Sequence, residues 1–244
     1  MSILNYSFKA SRIGLLLVIT LVPLFVSLGF WQLDRARVRE SLIVFSHEQR
    51  QKPPLDRLAL SEQEPESLRF RAIRLKGSYD PDHQLLVDNQ ILDGKPGYQV
   101  LVPFRPDGPG PWVLINRGWI PLGSSRTQVP VLDGLPVGPT EILGVFDLFH
   151  RVGLILPGMT TPQSGWPSVV QVPDPTAMRQ RLDREIFLLQ LRLDPGQPGS
   201  YSAFPWGQLP DPGKNRGYAL QWWLFALAAF LLFLKASVHA RSTS

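Results

Sequence analysis

The sequence has no cysteine at all. That removes disulfides, thiolate nucleophiles and thiolate metal sites, and it leaves no redox compartment to read from cysteine usage. A Cu(I) carrier needs thiolates or a methionine-rich cluster. With no cysteine and 3 scattered methionines, that class is excluded. Histidine is scarce too. His47, His83, His150 and His239 include no pair at metal-ligand spacing. Asp80, Asp82 and His83 come nearest to a ligand cluster, but a polar turn between strands accounts for them at less cost. Asp147 and His150 would point to opposite faces of a strand. There is no G-x-S-x-G, no P-loop and no dinucleotide fingerprint. Gly94 to Gly97 and Gly108 to Gly110 read as turns rather than phosphate cradles. The formal charge is +5, yet no long basic run interleaves with aromatics as a single-strand binder requires. Nucleic acid is not an expected partner, and no residue set predicts an enzyme.

What the chain does have is an uneven distribution of its 44% apolar residues. Gly14 to Leu33 carries no charge and at about 1.5 Å per residue crosses a hydrocarbon core of about 30 Å. Lys9 and Arg12 precede it, while Asp34, Arg35, Arg37 and Arg39 follow. Phe30 and Trp31 sit where amphipathic rings favour the interface, and Pro23 lies mid-span, which membrane helices tolerate. Ser27-Leu28-Gly29 would serve as a signal-peptidase site, but the apolar run is longer than a leader's and continues through Trp31, so a retained anchor is the expectation. Tyr218 to Leu234 is a second, shorter span, with Trp222 and Trp223 at one interface, Lys214 and Arg216 before it, and Lys235 and Arg241 after it. Basic residues flank both spans on both sides, so the charges leave the orientation open. Two spans place both termini on one side and the section 34–213 on the other.

That section begins as a continuation of the first helix, from Leu33 to Gln51, which Pro53-Pro54 stops. Strand signals follow. Phe70 to Tyr79 alternates, with Ile73, Leu75, Gly77 and Tyr79 on one face and Arg74, Lys76 and Ser78 on the other. Gln84 to Asp88 is a short strand, and Leu92 to Lys95 turns the chain back. Tyr98 to Phe104 and Trp112 to Ile120 are apolar on both faces, as central strands are, and Pro106 to Pro111 loops between them. Glu141 to Phe149 and Ser168 to Val172 are further strands. Asp174 caps a helix to Leu182 with Pro175 at its first position. Ile186 to Leu193 turns Phe187, Leu189, Leu191 and Leu193 inward. Val152 to Trp166 and Pro195 to Gly213 read as loops. About seven strands with one or two helices predict a small barrel or sandwich. The expected fold class is therefore a membrane protein in which two transmembrane helices, 14–33 and 218–234, flank a mainly-β, barrel-like α+β domain. Arg117, beside Trp119, reads as an anion or partner contact, or equally as an ion pair or cation–π contact.

Five segments occur in a telling order: Gly29-Phe30-Trp31-Gln32-Leu33-Asp34-Arg35, Gly97 to Phe104, Val113-Leu114-Ile115-Asn116-Arg117-Gly118-Trp119-Ile120-Pro121, Trp166-Pro167, and Gly217-Tyr218-Ala219-Leu220-Gln221-Trp222. Together they resemble the Surfeit locus family over residues 10 to 236. The resemblance implies a non-enzymatic assembly factor for haem–copper cytochrome c oxidase that helps to place haem a in the catalytic subunit. Expected partners are the membrane, that subunit and the proteins of haem a synthesis. It also implies a bacterial inner membrane with both termini cytoplasmic and the central domain periplasmic. The haem a contacts it implies are Trp31, Gln32, Arg35, Asn215, Tyr218, Gln221 and Trp222. Interface anchoring is an alternative role for Trp31 and Trp222, lipid headgroups for Arg35, and a partner helix for Gln221. One position departs from the pattern. Many members carry a histidine, the expected axial haem ligand, where this chain has Asn215, and asparagine is a poor iron ligand beside imidazole.

Overall fold

The computed structural model of the 244-residue chain describes residues 6–8, 10–57, 59–123, 129–149, 152–201 and 209–240. In chain order its elements are β1 (Tyr6–Phe8), α1 (Arg12–Gln51), α2 (Ala59–Glu62), β2 (Ala72–Tyr79), β3 (Leu85–Leu92), β4 (Lys95–Pro106), β5 (Trp112–Pro121), β6 (Thr140–Asp147), β7 (Ser168–Val170), α3 (Pro175–Leu182), β8 (Ile186–Leu193), α4 (Pro212–Ser237) and β9 (Val238–Ala240). They form two compact units: Met1–Phe45 with Gln208–Ser244, and Ser46–Gly207.

The first unit is a helix pair. Both α1 and α4 are long and apolar enough to cross a membrane. Phe25 of α1 stacks on Trp222 of α4, with ring centroids 5.7 Å apart. Phe30 meets Trp223 edge-on at 5.5 Å. Gly29 is buried, and a Cβ there would lie 2.2 Å from the indole nitrogen of Trp223. The missing side chain is what lets the tryptophan ring seat against α1. Gly14 of α1 lies beside Phe233 of α4 and Gln32 beside Asn215, so low numbers on α1 meet high numbers on α4 and the pair is antiparallel. At its terminal end β1 pairs antiparallel with β9, from Tyr6↔Ala240 to Phe8↔Val238. These two short strands carried no signal in the sequence.

The second unit holds a seven-stranded sheet in the order β2-β6-β8-β5-β4-β3-β7, with an additional pairing of β2 to β4. That extra pairing joins five strands (β2, β6, β8, β5 and β4) into a closed ring, and β3 and β7 extend the sheet beyond it. A sequence reader can see the strands but not the closure, because Gly77↔Pro106, Ser78↔Arg105 and Tyr79↔Phe104 are contacts between separate strands. Pairs β5–β8 and β3–β7 are parallel. Alternation fills the ring: Ile73, Leu75, Val102, Phe104, Val113, Ile115, Ile142, Phe146, Phe187, Leu189, Leu191 and Leu193 share one core. The opposite faces of β3, β4 and β5 supply Leu85, Val87, Leu101 and Leu114 to a second core beneath Met178 and Leu182 of α3. Two buried faces explain why β4 and β5 read as continuous apolar runs.

Local chemistry agrees with the expected caps and turns. Asp174 accepts from the Ala177 N–H at 2.9 Å with Pro175 following it. Asp93 and Gly94 both have positive φ, 49° and 75°, the conformation a two-residue hairpin requires. Some boundaries move. The strand expected from Phe70 starts at Ala72, because Phe70 takes φ 65°. β3 runs on to Leu92 through a register shift between Val87 and Gln90, with Asn89 at φ 60°. β6 stops at Asp147, whose carboxylate accepts from the Leu148 N–H and pairs with Arg69 and Arg192. Gly97 belongs to β4 rather than to a turn. A Cβ there would meet the Ile120 carbonyl oxygen at 2.2 Å.

Candidate functional site

The charged residues that end the apolar stretch of α1 meet the first turn of α4. Asp211 caps α4, its carboxylate accepting from the Gly213 N–H at 2.8 Å. One turn on, Asn215 is buried, at 6% exposure. Its amide nitrogen donates to the Gln32 side-chain oxygen at 2.6 Å. Its amide oxygen accepts from Arg39, which also donates to the Asp211 carbonyl at 3.3 Å. Arg216 pairs with Glu40 at 2.5 Å beside them. The result is a polar lock between two helices that are otherwise apolar.

The expected haem set is only partly assembled. Gln32 and Asn215 bond directly. Trp31 and Arg35 stand together, with the Arg35 guanidinium 5.2 Å from the Trp31 ring centroid. They line an open groove of about 440 Å³ with Asp34, Val38 and Arg39. Trp222 is drawn instead into the helix contact with Phe25. Tyr218 and Gln221 are exposed on α4, and among the described residues neither bonds to Gln32, Asn215 or Arg39. Arg39 and Glu40 were not singled out in the sequence. Arg39 reads there as one more basic flank, since its partner lies 176 positions away.

As an axial haem site this end of the pair does not fit. Both polar atoms of the Asn215 amide are engaged, and the one histidine among the described residues of this unit, His239, lies in β9 beyond the far end of α4. The geometry presents an aromatic face and two guanidinium groups to a ligand or partner. Replacing Asn215 with leucine should strand the Gln32 and Arg39 groups and cost the pair about 1–2 kcal/mol. Unfolding of the full chain in mixed micelles would measure the loss, with Lys214→Gln as the exposed comparison.

The other residues flagged in the sequence turn out to build the sheet. Asp80 accepts from the Asp82 N–H at 3.2 Å, contacts His83 Nδ1 at 2.8 Å and pairs with Arg184. It is therefore the polar turn that the sequence favours. Burial pushes the Asp80 carboxyl up, but the bonds from Arg184 and His83 outweigh it and hold the group below the usual carboxylate range. No group of acidic or histidine side chains among the described residues could hold a metal ion, and His150 lies outside the described residues. In the N-R-G-W segment, Val100 pairs with Gly118 and Leu101 with Asn116, so Arg117 is the extra residue of a bulge. Asn116 donates to Gln190 at 2.8 Å and to Gln99 at 3.1 Å. Arg117 donates to Gln84, the Gly199 carbonyl and the Asp133 carbonyl, and stacks on Tyr201 at 4.2 Å. The cation–π contact, one of the roles open to it, is made with Tyr201.

Comparison with known proteins gives these segments a common origin. The chain is 28% identical over 212 residues to an uncharacterised SURF1-like protein of Mycobacterium bovis, covering 78% of this chain and 70% of the relative. It is 25% identical over 154 residues to a SURF1-like protein of Rickettsia bellii, covering 62% and 60%. Over the same length it is 25% identical to surfeit locus protein 1 of Takifugu rubripes, covering 57% and 63%. The SURF1 family pattern matches residues 19–227, which take in the helix lock, the closed ring and the N-R-G-W bulge alike, and the chain belongs to the SURF1 family.

Proposed function

We propose that this protein is an assembly factor for haem–copper cytochrome c oxidase that assists haem a insertion into the catalytic subunit or stabilises that subunit during assembly. In this reading it spans a bacterial inner membrane through 14–33 and 218–234, with both termini cytoplasmic and the sheet domain periplasmic. The observation that carries it is the family match across nearly the whole chain. Trp31, Arg35 and the groove beside them are the surface proposed to meet haem a or the subunit. Gln32 and Asn215 hold the helices that present it, and Tyr218, Gln221 and Trp222 extend it along α4. With Asn215 committed to Gln32 and Arg39, haem a is cargo contacted in passing and not a cofactor held by this side chain.

Deletion of the gene tests the proposal. Reduced-minus-oxidised spectra of the membranes should lose the haem a band, oxidase activity should fall with it, and a plasmid copy should restore both. Full haem loading in the deletion strain under every growth condition would overturn the role. Purified wild-type protein should show no Soret band after coexpression with haem a synthesis. A band in the wild type would instead establish a carrier with a ligand elsewhere, and Asn215→His would show whether imidazole at this position adds one.

A further inference from the structure

Trp31, Arg35, Val38 and Arg39 fall at helical spacing on one face of α1, and all of them line the open groove beside the lock. Arg35 is exposed, stacks on Trp31 and makes no ion pair among the described residues. Arg39 donates to the Asn215 amide oxygen and the Asp211 carbonyl. Both acceptors are neutral, so they fix its direction without cancelling its charge. Asp34 also lines the groove, but its carboxylate is paired with Arg37 at 2.8 Å. Glu40 is likewise taken by Arg216. Two uncompensated guanidinium groups one helical turn apart therefore line one opening, with the Trp31 ring and Val38 as its apolar wall.

Depth identifies what meets these cations. The uncharged stretch 14–33 ends just before Arg35, with Arg39 one turn further on. At about 1.5 Å per residue, the two stand about 3 Å and about 9 Å past the edge of the hydrocarbon core. The headgroup layer beyond that edge is about 5–8 Å thick, so the pair brackets it. We infer that the groove binds the phosphate of one anionic phospholipid between Arg35 and Arg39, with the Trp31 ring against its first acyl carbons. The inference rests on the reading of α1 as a membrane span and adds to the assembly role: this lipid is the resting occupant that haem a or the subunit displaces. An acidic segment of a soluble partner would have to cross the headgroup layer to reach Arg35, and a free phosphate would gain nothing from the Trp31 ring. The larger apolar space that α1 and α4 leave between Gly14 and Ala229, about 680 Å³, has no charged lining residue and so no comparable claim on a headgroup.

Energy transfer from tryptophan to pyrene-acyl phosphatidylglycerol, titrated into the full-length protein in neutral-detergent micelles, tests this. The wild type should bind it more tightly than pyrene-acyl phosphatidylcholine. Arg35→Gln breaks no hydrogen bond among the described residues. It should weaken phosphatidylglycerol binding about fivefold, the worth of one cation beside an anionic headgroup, and leave phosphatidylcholine unchanged. Arg12→Gln, at the opposite end of α1, should change neither. Equal losses in the two variants would mark a general attraction of a basic protein for anionic lipid and overturn the inference. So would equal wild-type affinity for the two lipids. Replacing chloride with inorganic phosphate at equal ionic strength should not release the lipid, and release would assign the groove to free phosphate instead. Extraction of the protein from native membranes by alkaline carbonate would overturn the spanning reading and this inference with it. Retention in the membrane with no effect of Arg35→Gln would sink the inference alone.

Discussion

Replacing Arg117 with alanine is expected to destabilise the sheet unit by about 3–5 kcal/mol. Arg117 is the largest fully buried side chain, at 1% exposure, and burial pulls its pKa below the usual guanidinium value. Among the described residues no carboxylate bonds to it. Its donors go to the Gln84 side chain and to the carbonyls of Gly199 and Asp133, while its own carbonyl accepts from the Tyr201 N–H at 2.6 Å. One side chain therefore ties β5 to the segment before β3 and to two loops. Removing it leaves the buried Gln84 oxygen and the half-buried Gly199 carbonyl without this donor, each costing about 1–3 kcal/mol, and opens a cavity where the side chain packed, offset in part by relief of a buried charge. Lysine should recover little, because a point charge cannot reach separated acceptors as a planar fork does. Thermal unfolding of the full chain in detergent, followed by near-UV circular dichroism, should show both variants melting well below the wild type. An unchanged midpoint for Arg117→Ala would refute the tie.

The second large effect is expected at Gly77, where the ring closes. A Cβ there would lie 2.0 Å from the Arg105 carbonyl oxygen and 2.8 Å from the Phe104 ring. No rotamer avoids a contact with backbone, so β2 must leave β4 to accept a side chain. Gly77→Val should then cost at least about 3 kcal/mol. It should also release the amides at Ser78 and Asp80, the latter bonded to the Pro103 carbonyl, to hydrogen exchange before those at Ile73 and Leu75, which pair with β6. Gly153→Ala, where an added Cβ meets nothing within 4 Å, should stay within about 0.5 kcal/mol of wild type. Equal exchange in the two variants would show that the β2–β4 pairing is not what holds the ring.

Both predictions concern glycine or arginine in segments that the sequence marks as distinctive without saying why. The N-R-G-W run is recognisable as a pattern, yet its parts work by different means. Asn116 bridges two strands through Gln99 and Gln190, Arg117 is a bulge residue turned into the interior, and Gly118 takes φ 120°, with the Tyr201 carbonyl oxygen 2.8 Å from where a Cβ would sit. A reader limited to spacing can place Arg117 on a strand but cannot learn that the strand bulges there. The same holds at the helix lock. Asn215 stands out by departing from the family pattern, whereas Arg39, which bonds to it, looks like an ordinary basic flank. Trp222 fits the profile of an interface anchor, and only its Phe25 neighbour shows that its ring also packs between helices.

Chain order alone determined whatever depends on near neighbours. It specified two uncharged apolar helices, the inward faces of β2 and β8, the Asp174 cap, the Asp93–Gly94 turn and the family to which the ordered motifs belong. These follow from periods of 3.6 and 2 and from the φ preferences of single residues, all of which act over a few positions. Tertiary structure decided the closure of β2 on β4, the burial of Arg117, the bonding of Asn215 to Gln32 and Arg39, and the apolar space between α1 and α4. Each of these depends on groups far apart in the chain, and burial, hydrogen-bond partners and empty volume exist only once those groups have been brought together.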